Sequence, residues 1–233
     1  MSLRNQNVLI TGASIGIGAA IAHRLAQEGA NLILFSRTES KLKYLSQDIQ
    51  SNIGANTIRI FTTAVDVSNQ VEVTKAISNV VKQSGPIDIL INNAGLALGA
   101  PAAFQDLSIE DVVAMTGTNV NGASLPGTNK RFQEGFTDAL RTELGGTNIK
   151  VLALRPGVVA THFHEQRVGF DKDAYNGFME GFEPLLAEDV AEAAAWMLSG
   201  EERISVKALD VVPSAQRSLS VFDRKWNGRN GKE

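Results

Sequence analysis

TGASIGIG, residues 11–18, is the stretch that decides the fold of this chain. Val8-Leu9-Ile10 before it is a short apolar run that reads as a buried strand. After it, Ile17, Ile21, Ala22, Leu25 and Ala26 recur at helical spacing as far as Gly29. A glycine-rich turn between a strand and a helix has a physical use. Gly12 permits a tight turn at positive φ, and Gly16 and Gly18 carry no Cβ to hold a ligand off the backbone. The helix that follows aims its unpaired N–H groups and the positive end of its dipole at any anion lying there. The natural anion is the pyrophosphate of a dinucleotide. The spacing is G-x-x-x-G-x-G rather than G-x-G-x-x-G, and alone it also fits a plain strand–helix turn. The flanking strand and helix favour the nucleotide.

Outward from this turn the pattern alternates. Leu32-Ile33-Leu34-Phe35 reads as a second buried strand, and Leu42, Leu45 and Ile49 mark a second helix. Ile58, Ile60, Thr62 and Ala64 form a third strand ending near Asp66. Val73, Ala76, Ile77, Val80 and Val81 give a third helix, and Ile87 to Ile91 a fourth strand that enters NNAG at 92–95. Strands alternating with helices imply a Rossmann-like, doubly wound parallel sheet covered on both faces. Ser108 and Asp111 read as a capping pair opening a helix towards Asn119. Phe132, Phe136, Ala139, Leu140 and Leu144 lie on one face of the next helix. Ile149 to Leu154 is a further strand before RPG (155–157), Glu188 to Ser199 a helix, and Ile204 to Val212 the last strand. Residues 162–184 hold four phenylalanines without clear periodicity, and read equally as a substrate lid or as a packed surface excursion. Residues 1–212 are thus one domain, and 213–233 a polar, mildly basic tail that reads as loose or as touching another subunit.

Composition narrows the function. A chain of 233 residues suits one large α/β domain. A net charge of −3 argues against nucleic acid or an anionic membrane as the main partner. With no cysteine, thiol catalysis and cysteine-ligated metal are excluded. His162 and His164 form a bare His-x-His pair without a carboxylate cluster, a poor metal site. No stretch reaches 18 apolar residues, and MSLRNQ runs directly into a core strand, so a cytoplasmic protein is expected.

Taken together, TGASIGIG, Asp66, NNAG, Asn119, Lys130 and PGVVAT (156–161) resemble, in this order, the short-chain dehydrogenase/reductase family over essentially the whole chain. FTDALRTEL (136–144), PGVVATHF and the ALDVVP region look like the NADP-dependent 3-hydroxy acid dehydrogenases, which act on serine, allo-threonine and related compounds. The resemblance implies an oxidoreductase that moves hydride between nicotinamide and a small alcohol, ketone or hydroxy acid. It implies that Gly12, Ser14, Ile17 and Gly18 line the phosphates and ribose, and that Asp66 and Val67 meet the adenine. Asn92, Ala94 and Gly95 would floor the nicotinamide ribose, and Pro156, Gly157, Val159 and Thr161 would bracket the nicotinamide amide. Asn119 and Lys130 would be the catalytic pair, with Lys130 also on the cofactor. A homo-oligomer, dimer or tetramer, is the family expectation.

Cofactor choice has its own argument. NAD sites place a carboxylate at the end of the second strand to accept from the ribose 2′-OH. Here Phe35-Ser36-Arg37 stands there, with no acid before Glu39. A guanidinium pairs bidentately with a 2′-phosphate, and the Ser36 hydroxyl adds a donor, so NADP is expected over NAD.

One part of the family pattern is missing. The acid/base is a tyrosine four residues before the lysine, and Pro126 stands four before Lys130. The chain's two tyrosines, Tyr44 and Tyr175, lie elsewhere. Eight residues separate Asn121 from Lys130, too few for the rest of a helix and the strand that carries the family serine; a βαβ unit takes about 30 residues. That strand would lie inside the sheet, between the strand entering Asn92 and the one ending at Leu154. Either its two neighbours close up, or the sequence lacks residues that a working enzyme has. Two functions follow: an NADP-dependent oxidoreductase, or a non-catalytic, truncated NADP-binding relative serving as sensor or partner subunit.

Overall fold

The first strand, β1 (Asn7–Thr11), is buried at every position, as a strand covered on both faces must be. In this computed structural model, residues 2–54, 57–96, 108–121, 130–218 and 221–232 are described. Three βα units follow from β1: α1 (Gly16–Gln27), β2 (Asn31–Ser36), α2 (Glu39–Ile53), β3 (Ile60–Ala64), α3 (Gln70–Ser84) and β4 (Ile89–Ile91). The strands pair in parallel in the order β3-β2-β1-β4. The period-2 alternation sorts their side chains: Val8, Ile10, Leu32 and Leu34 pack with α1 and α2 on one face. Leu9, Ile33 and Phe35 pack with Ala76 and Val80 of α3 on the other. This is the doubly wound parallel sheet that the alternation predicts.

Next come α4 (Ile109–Asn121), α5 (Lys130–Glu143), β5 (Ala153–Pro156), α6 (His162–Arg167), α7 (Lys172–Met179), α8 (Ala187–Ser199), β6 (Ala208–Val211) and α9 (Trp226–Arg229). The sheet breaks where the sequence lacks its strand. Among the described residues β4 pairs only with β1, and β5 pairs only with β6 as a separate parallel pair. The flanking strands have not closed up. Leu90, in the middle of β4, is 54% exposed, and Ile149, just before β5, is 61% exposed. Pairing in the second sheet begins at Ala153 rather than at Ile149.

Helix packing joins the two sheets instead. Ala191, Ala194 and Ala195 of α8 share one core with Ile21 and Leu25 of α1, and Leu154 of β5 packs against that core. Arg24 of α1 meets Glu192 of α8 at 2.6 Å. α5 is clipped to the second sheet by polar contacts: Arg155 reaches Glu134 on α5 and Asp210 on β6, and Arg141 donates to the carbonyls of Val151 and Lys207.

Two segments of the C-terminal third are more regular or better packed than their sequence pattern shows. The aperiodic stretch 162–184 contains α6 and α7, six and eight residues long, too short for a repeat to show in sequence. The tail from Pro213 is not loose. Ala215 is buried, Phe222 stacks on Phe182 with centroids 4.9 Å apart, and the Arg224 guanidinium lies 5.2 Å from the Phe182 ring.

Candidate functional site

The glycine turn is held against the loop after β4 by a small set of bonds. Thr11 Oγ1 accepts from the N–H groups of Asn93 and Ala94, each at 3.1 Å, and donates to the carbonyl of Ile91. Asn93 Nδ2 donates to the carbonyls of Thr11 and Gly12 at 3.1 and 3.2 Å. Gly12 stands at φ +64°, and a Cβ there would lie 2.8 Å from Cα of Ala94. A Cβ on Gly18 would run into the Gly12 carbonyl oxygen and lie 2.5 Å from Asn93 Nδ2. These glycines therefore serve close backbone approach as well as turn formation. Thr11 and Asn93 were not singled out in the sequence, although both lie inside the two motifs; which of the adjacent Asn92 and Asn93 turns inward depends on where β4 ends.

No side chain caps the N-terminus of α1, and its first turn holds no acidic residue. The N–H groups there are left for an anion. Ser14 and Ile17 are half-buried at this mouth, and Gly16 at φ +57° brings the backbone within reach of Thr161. A Cβ on Gly16 would stand 3.5 Å from the Thr161 side chain. The segment 156–161 thus returns to the glycine turn. Gly157 donates to the Val211 carbonyl at 2.7 Å and has no room for a Cβ, since Pro213 Cδ lies 2.9 Å from where one would sit. Val159 is buried beside its bridge partner Leu185, and Pro156 ends β5.

At the other end of the crevice Ser36 is buried at the tip of β2, where its Oγ accepts from Thr38 N–H. Arg37 beside it is exposed. Asp66 Oδ1 accepts from the amide and hydroxyl of Ser68 at 2.9 and 2.7 Å. Those two bonds, and then the Arg37 charge, hold the Asp66 carboxyl below its usual value, so Arg37 and Asp66 share one neighbourhood. Val67 is half-buried next to them.

Asn92 and Gly95 are exposed at the end of β4, whereas Ala94 is buried. Asn119, on α4, is fully buried. Its Oδ1 accepts from Leu96 N–H and its Nδ2 donates to the Leu96 carbonyl, both at 2.7 Å. The side-chain amide therefore braces the loop after NNAG through both its oxygen and its nitrogen. Lys130 is the first residue of α5, and its side chain lies outside the described residues, as do residues 122–129 with Ser124, Pro126 and Thr128. Tyr44 is 72% exposed on α2, and Tyr175 stands on α7 with its phenol raised, chiefly by burial. His162 pairs with Glu165 at 2.8 Å, and no metal-holding cluster occurs among the described residues. No helix there is long and apolar enough to cross a membrane.

Residues 6–128 match the short chain dehydrogenase family. Sulfoacetaldehyde reductase 2 of Chromohalobacter salexigens is 32% identical, over 93% of this chain and 98% of the relative. The NADP-dependent 3-hydroxy acid dehydrogenase of Schizosaccharomyces pombe is 31% identical over 96% and 98%. Among solved structures, a closed serine dehydrogenase complexed with NADP+ superposes with a TM-score of 0.80 at 28% identity, covering 94% of this chain and 99% of that one. The alignment to the reductase runs over 253 positions, more than this chain contains. Since 93% of 233 residues is about 217, about 36 of those positions have no residue here. That matches in size the strand and helix missing before Lys130.

Proposed function

The chain belongs to the short-chain dehydrogenase family, and on that premise we propose that it is an NADP-dependent oxidoreductase of small alcohols, aldehydes and 3-hydroxy acids. Bound NADP supplies hydride transfer; the residues of this chain supply its seat. The observation that carries the reading is the uncapped mouth of α1, packed through Gly12 and Gly18 onto the NNAG loop with no space for a Cβ. Only bare backbone there admits a pyrophosphate. Ser14 and Ile17 lie along the phosphates and ribose, and Asp66 and Val67 at the adenine. Ser36 and Arg37 take the 2′-phosphate, Arg37 through a charge-assisted fork. Asn92, Ala94 and Gly95 floor the nicotinamide ribose, and Pro156, Gly157, Val159 and Thr161 border the amide. Asn119 acts by bracing Leu96, and Lys130 is the cation at the head of α5. The reductase, the hydroxy acid dehydrogenase and the serine dehydrogenase support both the cofactor and the substrate class.

A cytoplasmic homo-oligomer completes the proposal. Ile109 and Val113 of α4 and Phe136 of α5 are large exposed apolar side chains that fit a subunit contact.

A second reading is favoured by one observation. Pro126 occupies the position of the family acid/base, and the sheet is open where the serine-bearing strand belongs. On that reading the chain binds NADP without turning over, as a sensor or partner subunit. The deciding experiment measures NADP+ and NAD+ binding by thermal shift, then NADPH oxidation with sulfoacetaldehyde and NADP+ reduction with serine or 3-hydroxypropanoate. The first reading expects NADP+-selective stabilisation with turnover. Stabilisation without turnover establishes the second, and no stabilisation by either dinucleotide overturns both.

A further inference from the structure

The segment 156–161 is held by backbone bonds on two sides and by one side chain from the tail. Gly157 donates to the Val211 carbonyl at 2.7 Å, Leu185 donates to the Val158 carbonyl at 2.9 Å, and Ala160 donates to the Leu185 carbonyl at 2.8 Å. The N–H of Val158 goes elsewhere: Gln216 Oε1 accepts it at 3.1 Å, across 58 positions of sequence. The same oxygen stands where a Cβ on Gly157 would be, with Pro213 Cδ and Val212 Cα 2.9 and 3.1 Å from that point. Gln216 therefore satisfies a half-buried backbone donor and packs directly on the glycine before it.

Gln216 is itself placed by the packing of the tail. Its N–H donates to the Pro213 carbonyl at 2.8 Å, it bridges antiparallel to Phe222, and Asp223 donates to the carbonyl of the adjacent Ala215 at 2.9 Å. Val158, Phe182 and Ala215 form one buried cluster, with Phe222 and Trp226 packed against it. Arg224 donates to the carbonyls of Phe178 and Glu180, and Asn227 to that of Gly181. α6 joins this layer through His164, whose ring lies 5.5 Å from Phe178; burial first, and the charge of Arg167 second, push its pKa down to about 4. The tail is thus a strap that runs from Gly157 and Val158 to residues 178–182, and Gln216 is its polar contact with the first of these.

In a doubly wound sheet the ligand lies across the C-terminal ends of the strands. With the 2′-phosphate at β2 and β3 and the pyrophosphate at α1, the nicotinamide half is left to the loop after β4 and the segment that leaves β5. Resting on that NADP reading, we propose that Gln216 is a positioning residue for the nicotinamide: it fixes the backbone of Gly157 and Val158 without touching the cofactor. A carboxamide offers both donors and an acceptor, so backbone groups can hold it only at a set spacing. That demands a backbone fixed to within about 0.5 Å. Thr161 against Gly16 anchors the far end of the segment, and Gln216 anchors the near end.

The test is calorimetric titration of the parent, Gln216→Met and Gln216→Glu with NADP+ and with adenosine 2′,5′-bisphosphate, which has the 2′-phosphate and adenine but no nicotinamide. Methionine is unbranched and fills the space with only a weak acceptor, so the Val158 N–H loses its partner, whereas glutamate keeps an oxygen at the same reach. Gln216→Met is expected to weaken NADP+ about 10-fold and to leave the bisphosphate within about 2-fold, while Gln216→Glu holds both within about 3-fold of the parent. Should Gln216→Met not fold, Gln216→Asn, one methylene too short to reach Val158, takes its place with the same expectation. Equal losses of both ligands overturn the inference, since they reveal a role in the fold alone. Unchanged NADP+ binding overturns it too, as does a Gln216→Glu as weak as Gln216→Met. A parent that binds the bisphosphate as tightly as NADP+ overturns this inference and spares the phosphate seat. A parent that binds neither overturns the cofactor reading and this inference with it.

Discussion

Replacing Gly18 by alanine tests whether the glycine turn and the NNAG loop are one packed unit. The added Cβ would collide with the Gly12 carbonyl oxygen and stand 2.5 Å from Asn93 Nδ2. Backbone oxygen cannot swing away as a flexible side chain can, so Gly12 or α1 must move. Overpacking of this kind costs about 1–3 kcal/mol. Asn93 donates to the carbonyls of Thr11 and Gly12 from the position the methyl group invades; disturbing those two bonds adds about 1 kcal/mol each. The total is about 3–5 kcal/mol, which for a domain of this size lowers Tm by roughly 6–20 °C. Gly16→Ala is the control. Its φ of +57° is unfavourable for alanine, but the nearest atoms are 3.5 Å away, so it should cost only about 1–2 kcal/mol. Differential scanning calorimetry of both variants, with and without NADP+, reads the difference. If Gly18→Ala melts within about 2 °C of the parent, or no lower than Gly16→Ala, the close approach argued here is wrong.

Three further outcomes follow from the same geometry. Arg37→Ala should weaken NADP+ about 10- to 100-fold and NAD+ hardly at all, with the selectivity falling as salt rises; equal losses for both would remove Arg37 from the 2′-phosphate. Asn119→Leu strands the N–H and carbonyl of Leu96, each costing about 1–3 kcal/mol, and denaturant unfolding should show the loss; a change below about 1 kcal/mol would mean that Asn119 braces nothing. His164 is held neutral in the fold with a pKa of about 4, against an ordinary 6.5. Protons therefore favour the unfolded chain between those values: its contribution is complete above about pH 6.5 and drains away as pH falls towards 4. The loss is roughly 2 kcal/mol after allowance for its partial exposure. His164→Phe should flatten that part of the stability–pH curve, and an unchanged slope would refute the assignment.

Much of this protein could be read without coordinates, because the signals involved are local. The order of βα units, the faces of α1 to α3 and the glycine turn depend on periodicity and on φ, which neighbouring residues set. The same locality let Ser36-Arg37 be placed at the end of β2 and Ser108 at the start of α4, where Ser108 Oγ does accept from Asp111 N–H. The missing strand was also legible, since eight residues between Asn121 and Lys130 cannot span it.

Tertiary structure decided what depends on contacts between distant residues. Nothing in the sequence says that β5 and β6 stand apart from β4, or that α8 on α1 carries the connection between the sheets. Pairing is a property of two edges, and helix packing is a property of two faces. The same holds for Asn119, for which the resemblance implies a catalytic part, and whose amide is seen only in the fold to bond both backbone groups of Leu96, 23 positions away. The tail too is settled only by what it meets: Phe222 and Arg224 become ordered parts of the molecule because Phe182 supplies the ring against which they pack. Hydrophobic pattern and turn chemistry write the elements into the chain, whereas the partner of each exposed edge and buried amide exists only once the chain has folded.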